Sequence, residues 1–292
     1  MAPRPARRSP VAEPFGARLS AAMDDLGPLC VGIDPHASLL AAWGLADDVA
    51  GLREFSLRVV DAVGGRVAAF KPQAAFYERH GSAGVAVLEE TVAASRAAGT
   101  LCIVDAKRGD IGSTMGAYAE AFLRDGSPLA GDALTVSPYL GFGSLAPAAE
   151  LAAQTGRGLF VLCLTSNKEG HEVQHARTAD GITLAASVAA QAAVLNAGAT
   201  PMGSVGLVVG ATIGDAVAAT GTDLEAVNGP LLAPGVGAQG AGAAELATVF
   251  GGARRQVLAS SSRGVLQAGP DAAALRAAAE TAAAEARAAL RG

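Results

Sequence analysis

Two lysines and two aspartates in this chain stand at or just after the ends of short apolar segments. Lys71 lies in AAFKPQ, Asp105 and Lys107 lie two residues apart in LCIVDAKRGD, and Asp110 follows three residues later. Alternating ammonium and carboxylate groups keep one another charged, because each is stabilised by its oppositely charged neighbours. Such a cluster can stabilise charge that develops in a transition state, and a lysine within it can donate a proton.

Lysine is rare in the sequence, which makes its positions informative. Lys71, Lys107 and Lys168 are the three lysines among 22 basic residues, and the others are arginine. A lysine can lose its proton in a reaction, which an arginine cannot do. Taken singly, each charged residue is better explained as a solvated charge at a strand end or as an ordinary ion pair, but the combination favours a functional cluster. Lys168 lies in a polar segment and is expected to face solvent.

A second group of residues has the composition of a phosphate-binding site. LLAPGVGAQGA is rich in glycine, and SSSRGVL places Arg263 after the last apolar run. Glycine lets backbone N–H groups approach an anion, and the arginine fork matches phosphate oxygens. The loops after the seventh and eighth strands of an α/β barrel are a recurrent phosphate site.

These residues must be positioned by a regular framework, and the sequence contains eight short apolar runs separated by helical segments. The runs are residues 29–34, 67–73, 100–107, 133–138, 158–166, 205–212, 231–237 and 256–262. Continuous apolar strands alternating with helices are typical of a parallel sheet covered by helices. Eight such units predict an α/β protein with a single (β/α)8 TIM barrel. A doubly wound open sheet is the alternative, although VGIDPH replaces a GxGxxG motif after the first run.

The remaining segments divide the chain into a tail and one domain. Residues 1–14 lack an apolar stretch and are predicted to form a disordered tail, whereas residues 15–292 are predicted to form the catalytic barrel. The polar segment 167–180 is either a mobile cover over the site or a surface insertion. Residues 181–214 are predicted to form a buried alanine-rich helix followed by a strand, and the alanine-rich C-terminus to form a final helix.

The composition is that of a folded protein that binds neither nucleic acid nor a membrane. The 292 residues include 51% hydrophobic residues and carry a net charge of -5, so the chain can fill a core and has no overall attraction to nucleic acid. We expect no nucleic-acid partner and no membrane span, because the longest uncharged stretch is interrupted by glycine, proline and amides. Cys30, Cys102 and Cys163 are widely spaced in apolar runs, which favours buried, reduced thiols of a cytoplasmic protein.

Several of these segments together resemble one enzyme family, the orotidine 5′-phosphate decarboxylases. DAKRGDIGST is similar to the family pattern DxKxxDIxxT, and FKPQAAFYE, VLCLTSN, APGVGAQG and SSSRGVL resemble companion segments of its longer bacterial subgroup. The resemblance extends from about Phe15 to the final helix. It implies cofactor-free, metal-free decarboxylation of orotidine 5′-phosphate to uridine 5′-phosphate, the last step of de novo UMP synthesis, by a cytoplasmic homodimer with shared active sites.

The resemblance also implies roles for individual residues. Lys71, Asp105 and Lys107 would form the charged array of one subunit, with Lys107 as the proton donor, and Asp110 would enter the neighbouring subunit's site. The substrate-binding residues would contact ribose, base and phosphate in turn. They are Asp34 for the ribose hydroxyls, Thr114 for the 2′-hydroxyl across the dimer interface, Ser166 for the pyrimidine amide edge, and Gly237, Gln239 and Arg263 for the 5′-phosphate.

Two other functions remain open at this point. DxKxxD alone is shared with related sugar-phosphate decarboxylases and aldolases, so a metal-dependent enzyme on the same barrel is the first alternative. It would need carboxylates arranged for Mg²⁺. A catalytically silent barrel that binds a nucleotide is the second, although all four positions of the Lys-Asp-Lys-Asp set are filled.

Overall fold

Eight parallel strands close into a barrel in the computed structural model, which describes residues 13–236 and 240–291. Each strand pairs with the next along the chain, and the last pairs with the first. The strands are β1 (Leu29–Ile33), β2 (Ala69–Pro72), β3 (Leu101–Arg108), β4 (Ala133–Val136), β5 (Gly158–Leu164), β6 (Val205–Val209), β7 (Leu231–Pro234) and β8 (Val257–Ser261). All eight predicted runs contain a strand, so the (β/α)8 barrel is confirmed and the open sheet is wrong.

Helices surround the barrel and cover the outward faces of the strands. They are α1 (Phe15–Leu26), α2 (Ala37–Ala42), α3 (Val49–Val63), α4 (Ala74–Glu78), α5 (Gly81–Ala97), α6 (Gly112–Leu123), α7 (Ala146–Thr155), α8 (Gly170–Gln174), α9 (Leu184–Leu195), α10 (Ala216–Thr220), α11 (Ala243–Phe250), α12 (Arg263–Leu266) and α13 (Ala272–Arg291). Short 3-10 turns follow β4 (Phe142–Leu145) and α11 (Gly251–Gln256). The final helix predicted from the alanine-rich C-terminus is α13.

The barrel interior is filled by apolar side chains and closed at its N-terminal end by α1. Phe15 is fully buried and packs edge-to-face against Phe160 of β5, with ring centroids 5.9 Å apart. Arg18 of the same helix donates to Asp132 at 2.5 Å and to the carbonyl of Gly156. Since these contacts lie before β4 and β5, the opposite end of the barrel is left for polar strand-end residues.

Helix α9 differs from its prediction. The segment 181–214 does form a helix and then β6, but only one side of the helix is buried. Ala185, Ala189 and Ala192 pack inward, whereas Val194 is 74% exposed and Leu195 is 51% exposed. A helix of the outer layer of a barrel has one face in solvent, and alanine-rich composition does not distinguish that position from full burial. Among the described residues, no helix is both long enough and apolar enough to cross a membrane.

Candidate active site

One carboxylate, that of Asp105, lies at the centre of the polar C-terminal end of the barrel. Lys71 of β2 donates from Nζ to Asp105 Oδ2 at 2.8 Å, and Lys107 donates from Nζ to Oδ1 at 2.6 Å. Gln73 Nε2 donates to Oδ2 at 3.2 Å, and Thr135 Oγ1 donates to Oδ1 at 2.9 Å. The carboxylate thus accepts two bonds on each oxygen, which fixes its orientation and keeps it ionised.

Burial and charge act in opposite directions on this cluster. The side chains of Lys71 and Asp105 are each 8% exposed, whereas that of Lys107 is 45% exposed. Burial alone would raise the pKa of Asp105, but the ammonium groups of Lys71 and Lys107 outweigh it and lower the pKa to about 2. Burial alone would lower the pKa of Lys71, but the carboxylates of Asp105 and Asp34 outweigh it and raise the pKa. Both buried groups are therefore charged at neutral pH.

Lys107 is positioned by a β-bulge in β3. Val104 pairs with Leu134 of β4, but the next paired residue of β3 is Arg108, opposite Val136. Lys107 has a φ of 48°, in the left-handed region that a residue with a side chain rarely adopts. Simple alternation would place Asp105 and Lys107 on one face of a regular strand. Their side chains do contact each other, but β3 is not regular at this point. The bulge changes the direction of the Lys107 side chain, as bulges next to functional sites commonly do.

A cavity of about 130 Å³ opens beside the charged cluster and adjoins Ser166. Its walls combine the cluster with apolar side chains from the neighbouring strands. The lining residues are Lys71, Asp105, Lys107, Thr135, Leu162, Thr165, Ser166, Val208, Gly210, Leu232 and Pro234. A larger, mainly apolar groove of about 690 Å³ lies between α7 and α9. The smaller cavity is the candidate site because charged groups converge there.

Asp34 follows β1 and is held by the end of β8. Its Oδ2 accepts a bond from Ser262 Oγ at 2.5 Å, while Oδ1 is buried and has no hydrogen-bond partner among the described residues. Gly32 makes this approach possible, since a Cβ at that position would lie 1.9 Å from Ser262 Oγ. The partnerless oxygen is therefore available to a hydroxyl of a bound molecule.

The two phosphate-site segments are described in part. Gly237 and Gln239 lie outside the described residues, but the ends of their loop are held together, because Ala241 N–H donates to the carbonyl of Gly235 at 2.8 Å. A Cβ on Gly240 would lie 2.0 Å from that carbonyl oxygen, so the turn requires glycine. Arg263 is exposed at the start of α12, directly after Ser262.

Asp110 and Thr114 are not brought to the cavity of their own chain. Asp110 is partly exposed, and its Oδ1 accepts a bond from Ile111 N–H at 2.8 Å, while Thr114 is exposed on α6. Neither is among the described residues that line the cavity. Ile111 is 61% exposed and Tyr139, after β4, is 78% exposed. Asp110 and Thr114 are thus on the outer surface of the chain, where another molecule can reach them.

The polar segment 167–180 contains α8 and is tied back to the end of β5. Gln174 accepts a bond from Thr165 N–H at 3.0 Å and donates to Thr165 Oγ1 at 2.6 Å. Thr165 Oγ1 in turn donates to Asn167 Oδ1 at 2.6 Å. The side chains of Thr165 and Asn167 therefore form a hydrogen bond with each other, and that of Thr165 also bonds to Gln174. Lys168 is exposed, as expected.

Three polar residues of the site were not singled out from the sequence. Gln73 and Thr135 both bind the carboxylate of Asp105, and Ser262 binds that of Asp34. Each stands at the C-terminal end of a strand, which is the position that carries function in this fold. That position was the one signal in the sequence that could have found them.

The fold and the site together define a (β/α)8-barrel enzyme with a Lys-Asp-Lys cluster at the carboxyl ends of β2 and β3. Residues 27–278 match the model of the orotidine 5′-phosphate decarboxylase / HUMPS family. The chain therefore belongs to this family, as its motifs indicate.

Individual relatives agree with this membership. The chain is 63% identical over 278 residues to an orotidine 5′-phosphate decarboxylase of Streptomyces coelicolor, covering 95% of this chain and 99% of the relative. A crystal structure of a Streptomyces avermitilis protein assigned to the same activity is 64% identical, covers 99% of this chain and 100% of that one, and superposes with a TM-score of 0.94. The Leishmania donovani OMP decarboxylase is 33% identical, covers 96% and 99%, and superposes with a TM-score of 0.74.

Proposed function

We propose that this protein converts orotidine 5′-phosphate to uridine 5′-phosphate and CO₂, the last step of de novo UMP synthesis. The observation that carries the proposal is the buried carboxylate of Asp105, which is held between two ammonium groups beside a cavity. Relatives that align over nearly the whole chain are orotidine 5′-phosphate decarboxylases, which supports the proposal.

The chemistry follows from the charges of the cluster. When the bond between C6 and the carboxylate breaks, its electron pair stays on C6 and CO₂ leaves. The Lys107 ammonium stabilises that carbanion electrostatically and then transfers a proton from Nζ to C6. Lys107 can regain a proton from water because its side chain is 45% exposed. Lys71 and Asp105 are fixed charges that keep this ammonium in place, and the reaction needs no cofactor or metal.

Substrate binding draws on groups around the cavity. Asp34 has a buried oxygen free to accept a ribose hydroxyl, and Ser166 lines the cavity at a position suited to the pyrimidine amide edge. Arg263, Gln239 and the backbone at Gly237 bind the 5′-phosphate, which the loops after β7 and β8 commonly hold. Binding energy from this remote phosphate can be expressed in the transition state.

The proposal includes a homodimer with shared active sites. Asp110 and Thr114 lie outside the cavity of their own chain, and Ile111, which follows Asp110, and Tyr139, after β4, expose large apolar side chains. Contact between two such surfaces would bury these apolar groups and bring both polar residues to the partner's substrate, Thr114 at the 2′-hydroxyl.

A cytoplasmic location completes the proposal. Cys30, Cys102 and Cys163 are free and buried, as the sequence predicts. Burial raises the pKa of Cys30 and of Cys163 to about 12, which keeps these thiols protonated and unreactive. Unpaired structural cysteines are typical of reducing compartments.

The direct experiment follows the absorbance of orotidine 5′-phosphate with the purified full-length chain, with and without EDTA. We expect loss of substrate and formation of uridine 5′-phosphate at the same rate in both conditions. Substrate binding without turnover would overturn the proposal in favour of a silent nucleotide-binding barrel. Activity that EDTA abolishes and Mg²⁺ restores would favour a metal-dependent enzyme.

A further inference from the structure

Lys107, the proposed proton donor, stands on strained backbone that needs an external support. Its φ of 48° falls in the left-handed region, which is unfavourable for a residue with a side chain because Cβ crowds the backbone. The bulge also removes Lys107 from the regular ladder between β3 and β4, because the pairing jumps from Val104 to Arg108. A conformation of this kind persists only where neighbouring groups fix it.

Thr135 of β4 supplies that support. Its Oγ1 accepts the backbone N–H of Lys107 at 2.9 Å, in place of a ladder carbonyl. A carboxylate oxygen can only accept, so the Thr135 hydroxyl proton is directed to Asp105 Oδ1, also at 2.9 Å. The same Oδ1 accepts Lys107 Nζ at 2.6 Å. The three residues thus form a closed ring: Lys107 N–H to Thr135, Thr135 to Asp105, and Lys107 Nζ back to Asp105.

The Thr135 side chain lies beside the charged cluster, on the inner side of the barrel. It is 1% exposed and lines the cavity together with Lys71, Asp105 and Lys107. Valine has nearly the shape of threonine and would fill the same space without a polar atom. A buried hydroxyl is stable here because it satisfies the amide of Lys107 and the carboxylate of Asp105 at once.

We infer that Thr135 is a positioning residue of the decarboxylation, acting through Lys107 and Asp105. This inference rests on the proposed function. Its hydroxyl fixes the backbone from which the Lys107 ammonium projects, and it stabilises the ionised form of Asp105. Without it, the ammonium loses its fixed direction and the carboxylate accepts a proton more easily.

The test compares Thr135→Val, which removes the hydroxyl at nearly constant shape, with Thr135→Ser, which keeps it. We expect Thr135→Val to lower kcat by roughly tenfold to a hundredfold, since small misplacements of a reacting group have effects of this size. KM should change much less, because Thr135 makes no phosphate or ribose contact in the proposed site. The acid limb of the pH profile of kcat should move to higher pH, and Thr135→Ser should restore most of the rate and the profile.

A matched control is Thr91→Val. Thr91 is a buried threonine of α5 whose hydroxyl donates to the carbonyl of Val87 at 2.7 Å, away from the cavity. We expect this variant to keep the wild-type kcat and pH profile. If Thr135→Val does not fold, Thr135→Ala also removes the hydroxyl and gives the same comparison, and circular dichroism identifies the folded variants.

A second readout does not depend on turnover. In protein labelled with ¹³C at aspartate side-chain carboxyls, the Asp105 signal is assigned by its loss in Asp105→Asn. Its pKa should rise in Thr135→Val and stay near the wild-type value in Thr135→Ser. An unchanged Asp105 titration together with an unchanged kcat in folded Thr135→Val would overturn the inference. Failure of the wild-type chain to decarboxylate the substrate would instead overturn the proposed function, while this titration still decides whether Thr135 acts on Asp105.

Discussion

Lys71 and Asp105 form an ion pair in which both side chains are only 8% exposed, with Nζ 2.8 Å from Oδ2. A buried charge is costly to leave unpaired, so each group depends on the other. Because Lys107 also binds Asp105, the carboxylate is shared between a buried ammonium and one that is open to the cavity. Lys71 therefore stabilises the buried carboxylate, whereas Lys107 is exposed enough to contact a substrate.

Because Asp105 is ionised and paired in the folded protein, we expect the free energy of unfolding to fall at acid pH. The pKa of Asp105 falls from 3.8 in the unfolded chain to about 2 in the folded one. A lowered pKa contributes stability above the unfolded value, and this contribution is lost as pH falls from about 4 to about 2. For Asp105 it amounts to about 2 kcal/mol at neutral pH. Urea unfolding at a series of pH values should show a fall in the free energy of unfolding through this window.

Asp105→Asn identifies the source of that fall. The variant should be less stable at neutral pH by about 3 kcal/mol, because two ammonium groups lose their partner. Its stability should then depend less on pH between 4 and 2. Asp61→Asn is the control, since Asp61 is exposed on α3, forms no ion pair among the described residues and should leave the curve unchanged. A curve for Asp105→Asn as steep as that of the wild type would contradict the assignment.

Substitution of Lys107 tests the proposed proton donor. Loss of general-acid catalysis alone lowers a rate by about 10²–10⁴. Lys107→Ala also removes the charge that stabilises the carbanion, so its kcat/KM should fall beyond that range. Lys107→Arg keeps a positive charge but hardly deprotonates and should also be strongly impaired. Both variants should remain folded by circular dichroism, because this side chain is 45% exposed.

Lys168→Ala is the matched control for Lys107, as the third lysine of the chain and an exposed one. Its kcat/KM should stay close to that of the wild type. Folded Lys107→Ala that retains more than about a tenth of the wild-type activity would show that Lys107 is neither the proton donor nor the main stabiliser of the carbanion.

Mixing two inactive variants tests the shared site. Asp110→Ala and Lys107→Ala each damage both sites of a homodimer. A heterodimer of the two combines the intact Lys107 of one chain with the intact Asp110 of the other in one site. Random exchange of subunits should therefore restore about a quarter of the wild-type activity. Exchange is verified by native mass spectrometry, and proven heterodimers without activity would argue against a site formed by two subunits.

Arg263→Ala tests the phosphate contact. Loss of one partner of a charge-assisted, bidentate contact costs about 2–5 kcal/mol where bound nucleotide desolvates the pair, so uridine 5′-phosphate should bind more weakly and kcat/KM should fall. Added guanidinium should restore part of the activity, because it replaces the missing group. Arg255→Ala, at an exposed arginine before β8, should behave as wild type. An unchanged Kd for uridine 5′-phosphate in Arg263→Ala would remove Arg263 from the phosphate site.

The sequence was sufficient to predict the architecture of this protein. Buried parallel strands are apolar along their whole length, so all eight could be located from local composition, and polar residues at their ends indicated where Lys71 and Asp105 would meet. The motif DAKRGDIGST was sufficient to indicate the family. These features are local in the chain, and for that reason they can be read without the fold.

Only the tertiary structure decided how the site is assembled. The bulge that aims Lys107 arises from the register between β3 and β4. The contacts of Asp105 with Thr135 and of Asp34 with Ser262 join residues 30 and 228 positions apart. The exposed side of α9 likewise depends on which surfaces its neighbours cover. Hydrogen bonds and burial between distant segments depend on register and packing, and these are properties of the closed barrel rather than of any one segment.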